Sequence, residues 1–221
     1  MKYKAIIFDM DGTIIDSENA WKEGTKILIE NHGVQYTPDL HNEINKYVVG
    51  AGIFNACKTI KEITKIDETI DNLIHKKKII VSELLHKNLK FITGFEKFHD
   101  DLTIKTLRSA IASNADDNTM QIAKQKMNLE RFFGEHIYNV SHVENVKPHP
   151  DLYLHAADKL KTEPDYCVAI EDSAVGIEAA KRAGMFCIGI NTAKNIDSLK
   201  NADLIIDDYH QINLNELLKK V

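Results

Sequence analysis

Cysteine is scarce in this 221-residue sequence. The three present, Cys57, Cys167 and Cys187, are scattered and form no CxxC spacing. An odd, dispersed set excludes a disulfide framework and a zinc knuckle, fits a reducing compartment, and reads as small buried hydrophobes. Long apolar runs are also missing. The start, MKYKAIIFDMDG, holds one short apolar run that stops at acids, with no signal-peptide cleavage pattern, and no stretch approaches membrane-spanning length. The expected location is therefore cytoplasmic, with no membrane partner. A basic stripe interleaved with aromatics is absent too, and the net charge is −5, so no nucleic-acid surface is expected and an anionic substrate would have to be captured locally. Neither internal repeats nor low-complexity tracts occur. What is present is 43% hydrophobic residues, enough to fill a large domain or a core with a smaller insertion. A monomer is expected.

The segment Tyr3 to Phe8, YKAIIF, is continuously apolar where a half-exposed strand would alternate, which predicts a strand covered on both faces of a parallel sheet. Similar runs recur at Arg108 to Ser113, Tyr166 to Ile170, Met185 to Ile190 and Ala202 to Asp207. Segments of helical or turn character such as DLYLHAADKLK and SAVGIEAAKRAG separate them, and that alternation predicts α/β architecture. Between the first and second runs lies a long interval with no strand signal. ENAWKEGTKILIENHG places Trp21, Ile27 and Leu28 at helical spacing and closes on Gly33, and TIDNLIHKKKIIVSELLHKN repeats the pattern. Punctuation at Thr37-Pro38 and Gly50-Ala51-Gly52 predicts several helices. The expected division is thus a core of residues 1–15 and 90–221 with a helical insertion at 16–89.

Polar groups stand at the carboxyl side of the predicted strands: Asp9 and Asp11, then Ser113 and Asn114, then Glu171 and Asp172. In an open parallel sheet such groups converge on one crevice. Lys147, in VKPHPD, comes from a loop on the same edge. Four carboxylates in one crevice repel unless a cation sits among them, and an all-oxygen donor set without Cys or His suits Mg²⁺ better than zinc. Beside that cation a phosphate would fit, balanced by Lys147, the Ser113 hydroxyl and backbone N–H groups near Asp11 and Gly12.

DMDGTI (Asp9 to Ile14), the Ser113-Asn114 pair, KPHPDLY (Lys147 to Tyr153) and EDSAVGIEAAKRAG (Glu171 to Gly184) occur in the order found in the haloacid dehalogenase superfamily. In these four motifs the chain resembles the subgroup of β-phosphoglucomutase and sugar-phosphate phosphatases. The resemblance implies a Rossmann-like parallel-sheet core with an inserted all-α cap. It also implies that Asp9 is the nucleophile and Asp11 the general acid and base. Ser113, Asn114 and Lys147 would hold the phosphoryl group, while Asp9, the backbone carbonyl of Asp11, Glu171 and Asp172 would gather Mg²⁺. The division of labour has its own logic: one carboxylate must be ionised to attack phosphorus while the other holds a proton for the leaving alkoxide. Dehalogenases and phosphonoacetaldehyde hydrolases lack a carboxylate at the position of Asp11, so its presence favours phosphate esters of a small metabolite. A non-catalytic ester-binding protein would be free to lose either acid.

Mutases of the subgroup carry a His five residues after an Asp-Ser/Thr and an Arg shortly after a cap glycine, to hold a second phosphate. Here Trp21 and Ile53 stand in those places, which points to hydrolysis and leaves the mutase as the alternative. Trp21 reads equally as core packing or as a substrate contact, and the run Lys76-Lys77-Lys78 reads as a solvated helix face or, by the resemblance, as the source of a cap lysine that meets substrate, with Lys78 the candidate. His149 and His155 are expected to be structural or exposed.

Overall fold

The computed structural model describes residues 3–48 and 52–218, so Gly50 and Ala51 of the predicted punctuation lie outside the described residues. Six strands form one sheet: β1 (Ala5–Phe8), β2 (Arg108–Ala112), β3 (Ile137–Tyr138), β4 (Cys167–Glu171), β5 (Phe186–Ile190) and β6 (Leu204–Ile206). Their order is β3-β2-β1-β4-β5-β6, and every pairing is parallel. The helices are α1 (Glu18–Glu30), α2 (Pro38–Val48), α3 (Gly52–Thr64), α4 (Ile70–Asn88), α5 (Phe95–Ile104), α6 (Asp117–Met127), α7 (Glu130–Phe133), α8 (Asp151–Lys159), α9 (Ala174–Arg182) and α10 (Leu214–Leu217). The five strands read from apolar runs all form. The sixth, β3, has two residues, too few to carry a periodic signal.

The chain divides into two compact units, Met1–Ser17 with Leu89–Val221, and Glu18–Asn88. In the first, successive β1 residues serve opposite faces of the sheet. Ile6 and Phe8 join a cluster of large side chains with Ile111, Ile170 and Ile188, while Ala5 and Ile7 join one rich in small residues, with Ala110, Ala112, Ala156, Ala169 and Ala180. All four β1 residues are buried to within 1%, and each large one contributes roughly 1.5–3 kcal/mol relative to leaving it exposed. Alanines on one face let α8 and α9 approach β1, β2 and β4; the other face is filled by rings, with Phe8 meeting Phe95, Phe98 and Phe133. The two chain crossings into the insertion are tied within this unit, as the Asp16 N–H donates to the Lys90 carbonyl at 2.8 Å and Ile15 bridges Phe91.

The helical unit has its own core of Leu28, Ile29, Ile44, Cys57, Ile60, Ile66 and Leu73. Thr37 starts α2 by accepting the Leu40 N–H at its hydroxyl, 3.2 Å away, and Pro38 opens the helix where a missing N–H costs nothing. Cys57, Cys167 and Cys187 are free and buried, as their scatter predicts.

His99 on α5 sits among these rings, with its Nε2 2.8 Å from the Ser109 hydroxyl. Burial holds its imidazole down at about 4 against an ordinary 6.5, with Asp100 opposing and Arg131 adding to the effect. Between those two values the unfolded chain binds more protons, so the stability His99 contributes is complete above 6.5 and lost as pH falls toward 4. His99→Phe should therefore shrink the loss of unfolding free energy between about pH 7 and about pH 4.5 by on the order of 2 kcal/mol, allowing for residual screening. Urea titrations of both proteins at the two pH values test this, and equal acid losses would refute it.

Candidate active site

Three central, adjacent strands deliver the site. Asp9 follows β1, continuing its ladder as its N–H donates to the Ile170 carbonyl at 2.9 Å. Ser113 follows β2, and Glu171 ends β4 with Asp172 next. A parallel sheet puts all these ends on one edge. Asp9, Ser113, Lys147 and Glu171 are buried there. Lys147 lies between two of the acids, its Nζ donating to Asp9 Oδ1 at 2.7 Å and to Glu171 Oε1 at 2.5 Å.

Neighbouring groups fix this arrangement. Asn114 brackets the Lys147 backbone, its Oδ1 accepting the Lys147 N–H at 3.0 Å and its Nδ2 donating to the Lys147 carbonyl at 3.2 Å. The Asn114 amide thus helps to place the lysine and keeps a second Nδ2 hydrogen. Ser113 Oγ accepts the Ala115 N–H at 3.1 Å, which leaves its own proton available to an acceptor. Ser173 caps α9 by accepting the Gly176 N–H at 3.1 Å, and its hydroxyl donates to Glu171 Oε2 at 3.2 Å. After Asp9 the chain turns sharply: the Gly12 N–H donates to the Ile15 carbonyl, and Gly12 takes φ +79°. A Cβ there would fall 2.1 Å from Asp172 Oδ2, so both the left-handed backbone and the close approach require glycine. Two hydroxyls from distant segments hold this turn, Thr192 donating to the Gly12 carbonyl at 2.7 Å and Tyr209 to the Thr13 carbonyl at 2.9 Å.

The electrostatics describe a crowd of buried acids around one lysine. Burial pushes the Asp9 carboxyl up to about 8; Lys147 opposes that shift and Glu171 adds to it. Asp172 is raised well above the carboxylate range by burial and then by Asp9, Glu171 and Asp11. Burial pulls the Lys147 ammonium down, but Asp9 and Glu171 outweigh it and hold the group above its ordinary value. One ammonium faces three crowded carboxyl groups, and the raised proton affinity of Asp9 and Asp172 marks a repulsion that a divalent cation would relieve. Asp9, Glu171 and Asp172 each offer an oxygen, and the three lie within 4.8 Å of one another. Among the described residues this is the group of side chains with metal-ligating geometry; its hard, all-oxygen donors fit Mg²⁺. The Asp11 carboxyl is outside that group, adjoining it closely enough to raise its neighbours.

Gly176, in the first turn of α9, makes room for Glu171, since a Cβ there would lie 1.9 Å from the Glu171 carboxyl carbon. A rigid helix cannot retreat by that much. Gly176→Ala should destabilise the protein by ~1–3 kcal/mol and weaken Mn²⁺ binding by displacing the carboxylate, measured by thermal unfolding and by electron paramagnetic resonance. An alanine variant with unchanged metal affinity would refute this account of the glycine.

Within the helical unit Trp21 is half-buried on α1, and the Lys77 ammonium lies 5.9 Å from its ring centroid. Lys77 is 4% exposed, whereas Lys78 is exposed. Lys77 belongs to the buried stripe of α4 with Leu73, Val81 and Leu85, a four-residue spacing visible in the sequence that distinguishes it from its two neighbours. Ile53 packs, partly buried, against the core of the same unit. His149 is exposed, and His155 is half-buried with its ring edge-on to Tyr138.

Tyr153 was not singled out by the sequence, yet its hydroxyl donates to Glu171 Oε1 at 2.8 Å. Thr192 and Tyr209 went equally unmarked, because a hydroxyl reaching a carbonyl some 180 or more residues away leaves no local pattern.

The chain is similar to known proteins over most of its length. The family model described as haloacid dehalogenase-like hydrolase matches residues 6–190. A phosphorylated carbohydrates phosphatase of Thermotoga maritima is 31% identical over 186 residues, covering 82% of each chain. The β-phosphoglucomutase of Bacillus subtilis is 27% identical over 228 residues, covering 97% of this chain and 93% of its own. The crystal structure of a haloacid dehalogenase-like protein from Agrobacterium tumefaciens matches with a TM-score of 0.81 at 26% identity, covering 98% of this chain and 97% of that one.

Proposed function

This chain belongs to the haloacid dehalogenase-like hydrolase family, and from that premise we propose that it is a Mg²⁺-dependent phosphatase of a small phosphorylated sugar or similar metabolite, working through a phosphoaspartate at Asp9. The observation that carries this reading is the seat of Lys147, hydrogen-bonded to both Asp9 and Glu171 at the carboxyl edge of the sheet. An ammonium held there can balance a phosphoryl group arriving beside the nucleophile. Relatives with similar chains are named as phosphatases of phosphorylated carbohydrates, which supports the substrate class.

A bound Mg²⁺ would supply charge neutralisation between the carboxylates and the phosphoryl oxygens. An Asp9 oxygen attacks phosphorus, the ester P–O bond breaks, and Asp11 gives its proton to the leaving alkoxide. Water then attacks phosphorus of the acyl phosphate as Asp11 takes its proton, which releases inorganic phosphate and restores both acids. Ser113 and Lys147 hold the phosphoryl oxygens, and Asn114 serves by fixing the Lys147 backbone. In the helical unit Trp21 and Lys78 are the proposed substrate contacts, and Lys78 is exposed where Lys77 is buried.

A mutase is the second reading, favoured by the β-phosphoglucomutase likeness. It needs a grip on a second phosphate, and neither an indole nor an isoleucine packed against apolar neighbours supplies the charge-assisted hydrogen bonds for one. The test is phosphate release from a panel of small phosphate esters with Mg²⁺ and with chelator, together with hexose 1-phosphate plus a trace of hexose bisphosphate. Metal-dependent release without hexose 6-phosphate is expected. Efficient bisphosphate-dependent isomerisation would overturn the hydrolase reading, and release insensitive to chelator would remove the metal from it.

A further inference from the structure

Glu171 is fully buried, and its two carboxylate oxygens are treated differently. Oε1 accepts from the Lys147 ammonium at 2.5 Å and from the Tyr153 hydroxyl at 2.8 Å; Oε2 accepts from Ser173 at 3.2 Å. Two short bonds, one of them charge-assisted, occupy the lone pairs of Oε1, so the spare donor capacity toward a cation rests on Oε2. Tyr153 also touches the other partner, because the Lys147 ammonium lies 4.8 Å from its ring centroid. A fully buried tyrosine on α8 thus forms the common floor under both the metal-ligating acid and the phosphate-balancing lysine.

We propose that Tyr153 is a positioning residue for the metal site: its hydroxyl pins Glu171 in the orientation that gives one oxygen to Lys147 and frees the other for the divalent cation. The need for such a pin follows from charge and burial. Lys147 is pulled by Asp9 and Glu171 together, and without the tyrosine only the longer Ser173 bond, at 3.2 Å, opposes rotation of the carboxylate to chelate that ammonium with both oxygens. Each rotation toward Lys147 withdraws a ligand from the cation. A neutral donor on Oε1 breaks the tie without adding charge. Its place on a helix makes the restraint stiff, because α8 packs on β1 and β2. The sequence carries the device as the last residue of KPHPDLY, in which the helix start joins the lysine loop to the tyrosine.

This inference rests on the proposed metal site, which Mn²⁺ binding reads directly, and on the phosphatase reading for its kinetic arm. Tyr153→Phe keeps the ring beside Lys147 and removes the hydroxyl. Mn²⁺ titration followed by electron paramagnetic resonance measures the site without substrate, and p-nitrophenyl phosphate with Mg²⁺ reads turnover. Expected for Y153F are Mn²⁺ binding weakened ~10-fold or more, a higher Mg²⁺ requirement, a lower kcat with KM for the ester little changed, and a thermal midpoint within about 4 °C of wild type. Wild-type Mn²⁺ affinity in Y153F would overturn the proposal. So would losses that disappear once corrected for the folded fraction of an unstable variant, since Tyr153 would then serve packing alone. A wild-type protein that hydrolyses no ester while Y153F still loses Mn²⁺ affinity would sink the phosphatase reading and leave the role of Tyr153 standing.

Discussion

Replacing Asp9 with asparagine is expected to lower phosphate release by at least ~10⁴-fold, to background, in a protein that remains folded. An amide oxygen is a poor nucleophile toward phosphorus, and its NH₂ group cannot ligate a cation. The fold should tolerate the change because Asp9 is held in place by cost as much as by gain: burial and Glu171 push its carboxyl up toward 8 despite the Lys147 bond. Asparagine removes one of three crowded negative charges, keeps an oxygen for Lys147, and leaves that ammonium paired with Glu171. The metal-free variant should therefore unfold at a temperature no lower than wild type. Measurable turnover within tenfold of wild type would refute the nucleophile assignment. A large fall in thermal midpoint would show instead that the ion pair is structural.

Most of the polar residues at the carboxyl edge of the sheet were legible because a strand buried on both faces must be apolar until it leaves the sheet, so the first charged residue marks its end. YKAIIF ends at Asp9, and CVAIE carries its acid at the last paired residue, Glu171 opposite Gly189. The helical insertion was legible from its apolar period, and the phase of that period also tells which of Lys76, Lys77 and Lys78 is buried. Leu73, Val81 and Leu85 set the phase, and Lys77 falls on it. Other features have no local signature. The strand β3 is defined by partners on β2 rather than by its own two residues. Asn114 stands beside Ser113 in the sequence, and the match of its amide to both backbone groups of Lys147, 33 residues away, has no local trace. Tyr153, Thr192 and Tyr209 belong to the same class: each acts through one hydroxyl whose acceptor is chosen by the tertiary fold, and each occupies a position where a buried apolar or small residue would satisfy the sequence pattern equally well.

The effect of Asp11→Asn should depend on the leaving group, and that dependence distinguishes chemistry from packing. An amide can neither protonate the departing oxygen nor later take a proton from water, and positioned acid–base help is typically worth ~10²–10⁴-fold. An alkyl phosphate, whose alkoxide leaves badly, should lose that full amount. An aryl phosphate, whose phenolate departs without a proton, should lose less at the first step, so that breakdown of the phosphoaspartate becomes limiting and a burst of phenol precedes slow release of phosphate. The turn that carries Asp11 supports such a reading. Its backbone is held by Gly12 at φ +79° and by the Thr192 and Tyr209 hydroxyls on the carbonyls of Gly12 and Thr13, contacts that the amide variant leaves in place. Stopped-flow measurement with the two ester classes decides the matter. A burst with the aryl ester and a deeper loss with the alkyl ester support the acid and base role, whereas equal losses with no burst would mean that Asp11 shapes the loop and the proton comes from elsewhere.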